Sequence, residues 1–359
     1  MNSPPARRHA TIIVAVLVVL VAAVFASVPI GSGASSAQKQ SYSAILMNPF
    51  IGNDWRPQMQ KYAEVVVKKA PLKAKISSFK VVTTQNNDPN LQSPALQSAI
   101  LEEPDIIAMI VASETALNGL IQTACSKGIV VVTFDTQASA PCAWKLAPDW
   151  VAVGRTWALW MVKQVGGSGK ILVDRGTAGV GSSTNMNKGM DAVLKKYPKI
   201  KVIEYFSKYS PGEETSKVTQ LLAAHKDVEG IITQAYLAQE AMKKAKVKLP
   251  ATGFTYPTAM KACLARNNPC FLVGVPPWIS AEALRLGVNI KDGKVAGKPR
   301  FIPFLVPLFQ HNNKVKITTT NLGKVYDLKK EFTSKTPKGA FLPISPPWVK
   351  VDFDKEILG

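Results

Sequence analysis

Short apolar runs alternate with amphipathic stretches of helical spacing along most of this chain. The clearest run is Gly128-Ile-Val-Val-Val-Thr-Phe-Asp135. Ile129 to Val132 is continuously apolar and β-branched, as expected of a strand buried on both faces of a parallel sheet. Upstream, Leu117 to Lys127 reads as a helix with a basic last turn, stopped by Gly128. The strand ends at a carboxylate. In open α/β sheets, ligands sit outside the carboxyl ends of the strands. Asp135 is therefore a candidate ligand residue, with a plain turn aspartate as the alternative.

The same alternation runs on both sides of that strand. Tyr42 to Met47 reads as a first strand, followed by the loop Asn48-Pro49-Phe50-Ile51-Gly52-Asn53 and a helix up to Pro71. Phe50 and Trp55 beside Asn48 and Asn53 make an amphipathic wall suited to a small polar ligand, unless Trp55 packs under its own helix. Strands follow at Phe79 to Thr83 and Pro104 to Val111, with a helix from Ser93 to Glu102 between them. The segment Thr136 to Asp149 carries two prolines and reads as a loop crossing into a second domain. There the alternation restarts. Helices are expected at 154–164, 185–197, 212–225, 238–246, 260–266 and 280–290, and strands at 170–174, 201–205, 230–234, 250–255, 271–275, 301–305 and 315–319. The order predicts doubly wound α/β lobes.

Length and composition sharpen this picture. A chain of 359 residues suggests two domains. The formal net charge of +20 raises the question of nucleic acid. The lysines are spread over many helix faces, as at Lys195-Lys196 and Lys243-Lys244, and no basic block or nucleic-acid-binding motif appears. No nucleic-acid partner is expected. At the amino end, Arg7 and Arg8 precede the uncharged apolar segment Thr11 to Ile30, and Ser35-Ser36-Ala37 fits a small-x-small cleavage site. Residues 1–37 read as a secretory signal peptide, which places the rest in the periplasm; an uncleaved anchor is the alternative. The cysteines agree with export. Cys125, Cys142, Cys263 and Cys270 fall as two sequence-near pairs, and Cys125–Cys142 and Cys263–Cys270 each close a short loop. Histidine is confined to His9, His225 and His311, none near a cysteine, so no metal site is expected.

Catalytic chemistry finds no support. There is no nucleophile elbow, no HExxH, no Walker loop and no Cys–His pair. Gly176-Thr-Ala-Gly179-Val-Gly181 lacks the spacing of a dinucleotide fingerprint and reads as a strand-to-helix loop. Asn185 and Asn187 behind it can offer amide groups to a ligand. No enzyme activity and no cofactor are expected.

Taken together, Asn48-Pro49-Phe50, the strand Gly128 to Asp135, the helix carrying Gly189 and the loop Gly253-Phe254-Thr255 resemble, in this order, the type I periplasmic solute-binding proteins of ABC importers, in the ribose/galactose-binding cluster. The resemblance covers residues 42–325. Gly52-Asn53-x-Trp55-Arg56 and the Cys125/Cys142 arrangement resemble a subgroup of sugar-transport components. It implies two Rossmann-like lobes hinged around a ligand cleft: residues 42–146 with about 277–302, and residues 147–276 with about 303–359. It implies a monomer that captures a small polar solute, a sugar or sugar-like compound, and delivers it to a membrane permease. Asn48, Phe50 and Ile51 would form the first wall, with Asp135 on ligand hydroxyls. The sequence departs from the family pattern at Thr136, Met186, Ala235, Thr255 and the segment Val275-Pro276-Pro277-Trp278. A pocket with Trp278, Tyr236 and Phe50 suggests a more apolar ligand than ribose. A sensor lobe, or a nucleoside or aromatic solute, is the alternative.

Overall fold

The run at 129–132 becomes the inner part of a parallel sheet. The structure is a computed structural model that describes residues 41–313, 317 and 321–359. The expected signal segment and most of the expected strand 315–319 lie outside the described residues. In chain order, the first part contains β1 (Tyr42–Asn48), α1 (Trp55–Val66), β2 (Ile76–Thr83), α2 (Pro89–Leu101), β3 (Ile106–Met109), α3 (Asn118–Ser126), β4 (Val130–Phe134) and β5 (Trp144–Ala147). The chain then enters α4 (Trp150–Gln164), β6 (Gly169–Asp174), α5 (Gly181–Leu194), β7 (Ile200–Tyr205), α6 (Pro211–Ala224), β8 (Val228–Ile232), α7 (Gln239–Lys244), β9 (Ala251–Phe254), α8 (Pro257–Arg266) and β10 (Cys270–Val273). It finishes with α9 (Ile279–Lys291), β11 (Phe301–Pro303), β12 (Leu308–His311), β13 (Val325–Asp327) and α10 (Leu328–Glu331).

These strands form two sheets. The first has the order β11-β5-β4-β3-β1-β2 and the second β13-β12-β10-β9-β8-β6-β7. Both are parallel except where β12 runs antiparallel to β10. Each sheet with its helices is one α/β lobe. The centre of the first sheet is dry on both faces: Ile106, Ile107, Ala108 and Met109 of β3 are all fully buried, which is why these strands read as unbroken apolar runs.

The boundaries move where local chemistry decides them. Helix α4 starts at Trp150 rather than Gly154, because the Asp149 side chain accepts from Ala152 N at 2.9 Å and caps it. Helix α2 starts at Pro89 because Asp88 caps it through Asn90 N. Helix α5 starts at Gly181, so the expected Gly-rich loop already ends in a helical turn. Part of the segment expected as a crossover loop is β5, which pairs with β4 from Val132↔Trp144 to Phe134↔Leu146. The disulfides Cys125–Cys142 and Cys263–Cys270 are both formed.

Helices α4 and α5 touch through glycines. A Cβ on Gly154 would lie 2.0 Å from the Met186 carbonyl oxygen, and one on Gly189 would lie 2.0 Å from that of Val151. Only glycine admits this approach. It brings the starts of both helices to one wall of the cleft between the sheets.

The chain passes between the lobes at 148–149, at 274–278 and at 304–307. Helix α9 follows β10 of the second sheet yet packs on α1, β3 and β4 of the first. The terminal segment, expected with the second lobe, belongs to both. After α10, which packs on β12, β13 and α8, the chain returns to the first lobe, and its last helical turn Phe353–Ile357 lies against α1. Phe353 and Ile357 are buried there, and Lys69 of the α1 exit pairs with Glu356 at 2.7 Å.

Candidate functional site

The cleft is built from the residues that follow the strands' carboxyl ends. Its first-lobe wall holds Asn53, Trp55, Arg56 and Asp135; its second-lobe wall holds Trp150, Ser182, Met186, Tyr209, Phe254 and Tyr256; Val275 comes from a crossing between them. The free volume inside the cleft is small, about 60 Å³, so its two walls stand close together.

Arg56 and Asp135 supply the charge. Arg56 sits in the first turn of α1 and is 7% exposed. Its Nη1 donates to Asn48 Oδ1 at 3.1 Å, and its guanidinium lies 5.9 Å from the Phe50 ring and 5.4 Å from the Trp55 ring. Its Nη2 stands 3.8 Å from Asp135 Oδ2. That separation exceeds a hydrogen bond, so each group keeps capacity for a third partner between them. Burial pushes the Asp135 carboxyl up to about 6, with Arg56 opposing the shift. Burial likewise lowers the Arg56 value, and Asp135 again opposes.

Asp135 is held in an unusual backbone state. Its φ is +60°, a left-handed conformation that aspartate tolerates better than most residues. Its N–H donates to Leu146 O at 3.0 Å, and its carbonyl accepts from Trp150 Nε1 at 2.6 Å. The indole that fixes this carbonyl belongs to the helix opening the second lobe. Trp150 in turn meets Phe254 edge-on at 5.9 Å, and Trp157 meets the same ring at 5.1 Å. The second wall is thus aromatic and rigid.

A polar network braces that wall from behind. The Tyr209 hydroxyl is 2.6 Å from Ser183 Oγ and 3.3 Å from Ser182 Oγ, and it donates to Gln234 Oε1 at 3.3 Å. Gln234 Nε2 donates to Asn187 Oδ1 and to the Asp174 carbonyl. The Asp174 carboxylate accepts from the N–H groups of Gly176, Ser207 and Gln234. Below it, Glu214 accepts from Thr233 Oγ1 and Tyr236 N; burial, then the field of Asp174, pushes its carboxyl up to about 8.

Of the residues expected at the ligand, Asn53, Trp55 and Asp135 line the cleft. Trp55 does so while its Nε1 donates to Val275 O at 2.8 Å. Asn48 and Phe50 lie behind, holding Arg56. Asn48 Nδ2 and the Oγ1 of Thr136, which follows Asp135 in the chain, are buried without a hydrogen-bond partner among the described residues. Ile51 is 47% exposed on the outside of its loop. Asn185 turns back onto Gly181 O, and Asn187 spends its amide on Arg175 O and Gln234. Tyr236 packs on Tyr256, rings tilted and centroids 4.1 Å apart, and is not among the lining residues. Thr255 and Trp278 donate to Leu342 O and Pro343 O of the terminal segment and lie outside the cleft lining.

Arg56, Trp150, Ser182, Tyr209, Phe254 and Tyr256 escaped the sequence reading as site residues. Tyr209 and Tyr256 follow β7 and β9 by four and two residues, the positional signal that picked out Asp135, whereas Arg56 lies eight residues beyond β1, inside α1. Among the described residues, no group of His, Cys, Asp or Glu side chains is placed to hold a metal ion.

Comparison with known proteins agrees with this geometry. A xylitol-binding protein of Mycolicibacterium smegmatis is 28% identical over 189 residues, which cover 50% of this chain and 54% of that protein, so the match spans about half the length of the relative. The crystal structure of an ABC transporter solute binding protein from Thermobispora bispora superposes with a TM-score of 0.68 at 26% identity, covering 74% of this chain and 84% of the other. A solute binding protein from Burkholderia graminis in complex with D-arabinose gives a TM-score of 0.67 at 22% identity, covering 75% of this chain and 95% of the other, a likeness of fold. The sheet orders, the cleft between the lobes and a match of residues 44–294 to the model of the periplasmic binding protein domain lead to one conclusion: the chain belongs to the periplasmic binding protein domain family.

Proposed function

We propose that this chain is the extracytoplasmic solute-binding component of an ABC importer, which captures a sugar or sugar alcohol between its lobes and delivers it to a membrane permease. The observation that carries this reading is the Arg56–Asp135 pair, separated by 3.8 Å at the cleft wall. A ligand hydroxyl between them accepts from the guanidinium and donates to the carboxylate at once, and such charge-assisted bonds are the strong ones. The pair has no net charge, which favours a neutral ligand over a sugar acid. Trp55, Trp150, Phe254 and Tyr256 offer faces and edges to the CH groups of a polyol or sugar. The buried, unpartnered Asn48 Nδ2 and Thr136 Oγ1 stand close to this wall, where a further hydroxyl or a bridging water would satisfy them. The family is one of binding proteins, and a receptor of this kind binds without turnover.

The relatives suggest the first probes: xylitol, after the Mycolicibacterium smegmatis protein, and D-arabinose, after the Burkholderia graminis complex. A ligand present at 100 times its Kd should stabilise the protein by about 2.7 kcal/mol. The expected outcome is a saturable thermal shift with a polyol or pentose, lost in Asp135→Asn. The apolar second wall with Met186 and Phe254 favours one other reading, a nucleoside or aromatic solute. A shift with those compounds and none with polyols would replace the sugar assignment.

A further inference from the structure

The terminal segment adds a crossing between the lobes at 339–344, and it lies directly behind the cleft. Successive carbonyls of this segment are taken by side chains from different parts of the molecule. Leu342 O accepts from Thr255 Oγ1 of the second lobe at 3.1 Å. Pro343 O accepts from Trp278 Nε1, at the start of α9, at 2.8 Å. Ile344 O accepts from the Tyr62 hydroxyl on α1 of the first lobe. Gly339 O, just before, accepts from Gln58 Nε2 of the same helix at 2.9 Å. Tyr62 thus reaches a partner 282 residues away.

Phe341 sits at the middle of this strap, 2% exposed. Its ring packs edge-on against Tyr256 at 4.9 Å, and Tyr256 lines the cleft. Tyr256 also meets Tyr236, with the rings tilted and their centroids 4.1 Å apart. The cleft-facing tyrosine therefore packs against both a second-lobe ring and a ring of the strap. The strap is itself fixed to the first-lobe helix that carries Trp55 and Arg56. Through Phe341, one segment connects the aromatic wall of the second lobe to the charged wall of the first.

We infer that residues 339–344 are part of the binding machinery, with Phe341 as a positioning residue that sets Tyr256 against the solute and Thr255, Trp278 and Tyr62 holding the strap across both lobes. A preorganised wall loses less freedom on binding, so loosening it weakens affinity without removing any ligand contact. The inference rests on the receptor reading above only for the ligand used as probe.

The test uses the full chain with its disulfides intact, well below its melting temperature. Xylitol affinity is measured by calorimetry for the wild type, Phe341→Ala and Phe341→Leu. Backbone hydrogen exchange at 254–256 and at 55–62 is followed in the ligand-free proteins. The expected result is a Kd raised on the order of tenfold in Phe341→Ala, with the leucine variant between, and faster exchange in both segments. A purely structural strap would lower the melting temperature and leave both readouts of the folded protein unchanged, which would overturn the inference. If Phe341→Ala does not fold, Thr255→Val removes only the bond to Leu342 O, and the same two outcomes decide. If xylitol does not bind the wild type, the ligand assignment fails separately. The exchange data then decide for the strap: faster exchange at both 254–256 and 55–62 supports it, and unchanged exchange sinks it.

Discussion

Asp135 carries opposing demands. On the proposed reading it must be ionised to accept from a ligand hydroxyl, yet its burial holds the acid at about 6 against the ordinary 3.8. The folded chain therefore binds this proton more tightly than the unfolded chain. The stability cost of ionising Asp135 is absent below about pH 3.8, and it is fully present above about pH 6. Ligand binding has the opposite sign, because a hydroxyl donating to the carboxylate favours its charged form. Affinity should accordingly rise as pH increases through about 6 and level off above it, and Asp135→Asn should bind weakly with a flat profile. Calorimetric titrations between pH 5 and pH 7.5 would read this directly. An affinity that falls over that range would mean that Asp135 serves the ligand as a protonated donor. Asp135 was visible in the sequence because a buried strand ends on it. Tyr209 and Tyr256 were not, because the direction of a loop side chain is set by partners such as Ser183 and Phe341, far away in sequence.

The elements most open to sequence reading are those whose burial repeats along the chain. Strands β1, β3 and β4 are covered on both faces, so their apolar runs betray them. Strands β5, β11, β12 and β13 have only three or four residues each, and their pairing comes from neighbours brought in by tertiary structure. The terminal strap has no periodicity at all; prolines punctuate it, and its hydrogen bonds go to side chains 65 to 282 residues upstream. The α4–α5 contact gives an element-scale prediction. Gly154→Ala would force a Cβ against the Met186 carbonyl, a main-chain group that cannot swing away. Overpacking of this kind should cost about 1–3 kcal/mol in denaturant unfolding and should part the helices that carry Trp150 and Met186. Unchanged stability would show that the two helices slide apart freely.

At the scale of the whole molecule, two α/β lobes joined by strand-to-helix and strand-to-strand crossings form a hinge around the cleft. On the proposed reading, a solute that met Arg56 on one wall and the aromatic side chains on the other would favour a closed arrangement by its difference in affinity for closed and open forms. Small-angle scattering should show a smaller radius of gyration on saturation with the ligand, and Asp135→Asn should not contract at the same concentration. No contraction in the wild type would mean that the lobes are already held together without ligand, as the strap across 339–344 would favour. The formal charge of +20 is spread over the whole chain and is screened beyond about 8 Å at physiological salt, so it contributes little inside the cleft.

The return of the chain to its starting lobe has a practical side. Residues 353–357 rest on α1, so a fluorophore attached at that end travels with the first lobe, as would one placed near Tyr42 on β1. A pair of dyes at those positions would report almost no distance change however far the cleft opened. The second lobe enters and leaves through the first and is, in effect, an insert. A sensor built on this protein must place one dye inside that insert, for example on the exposed turn after α6 near Lys226, with the other on the first lobe.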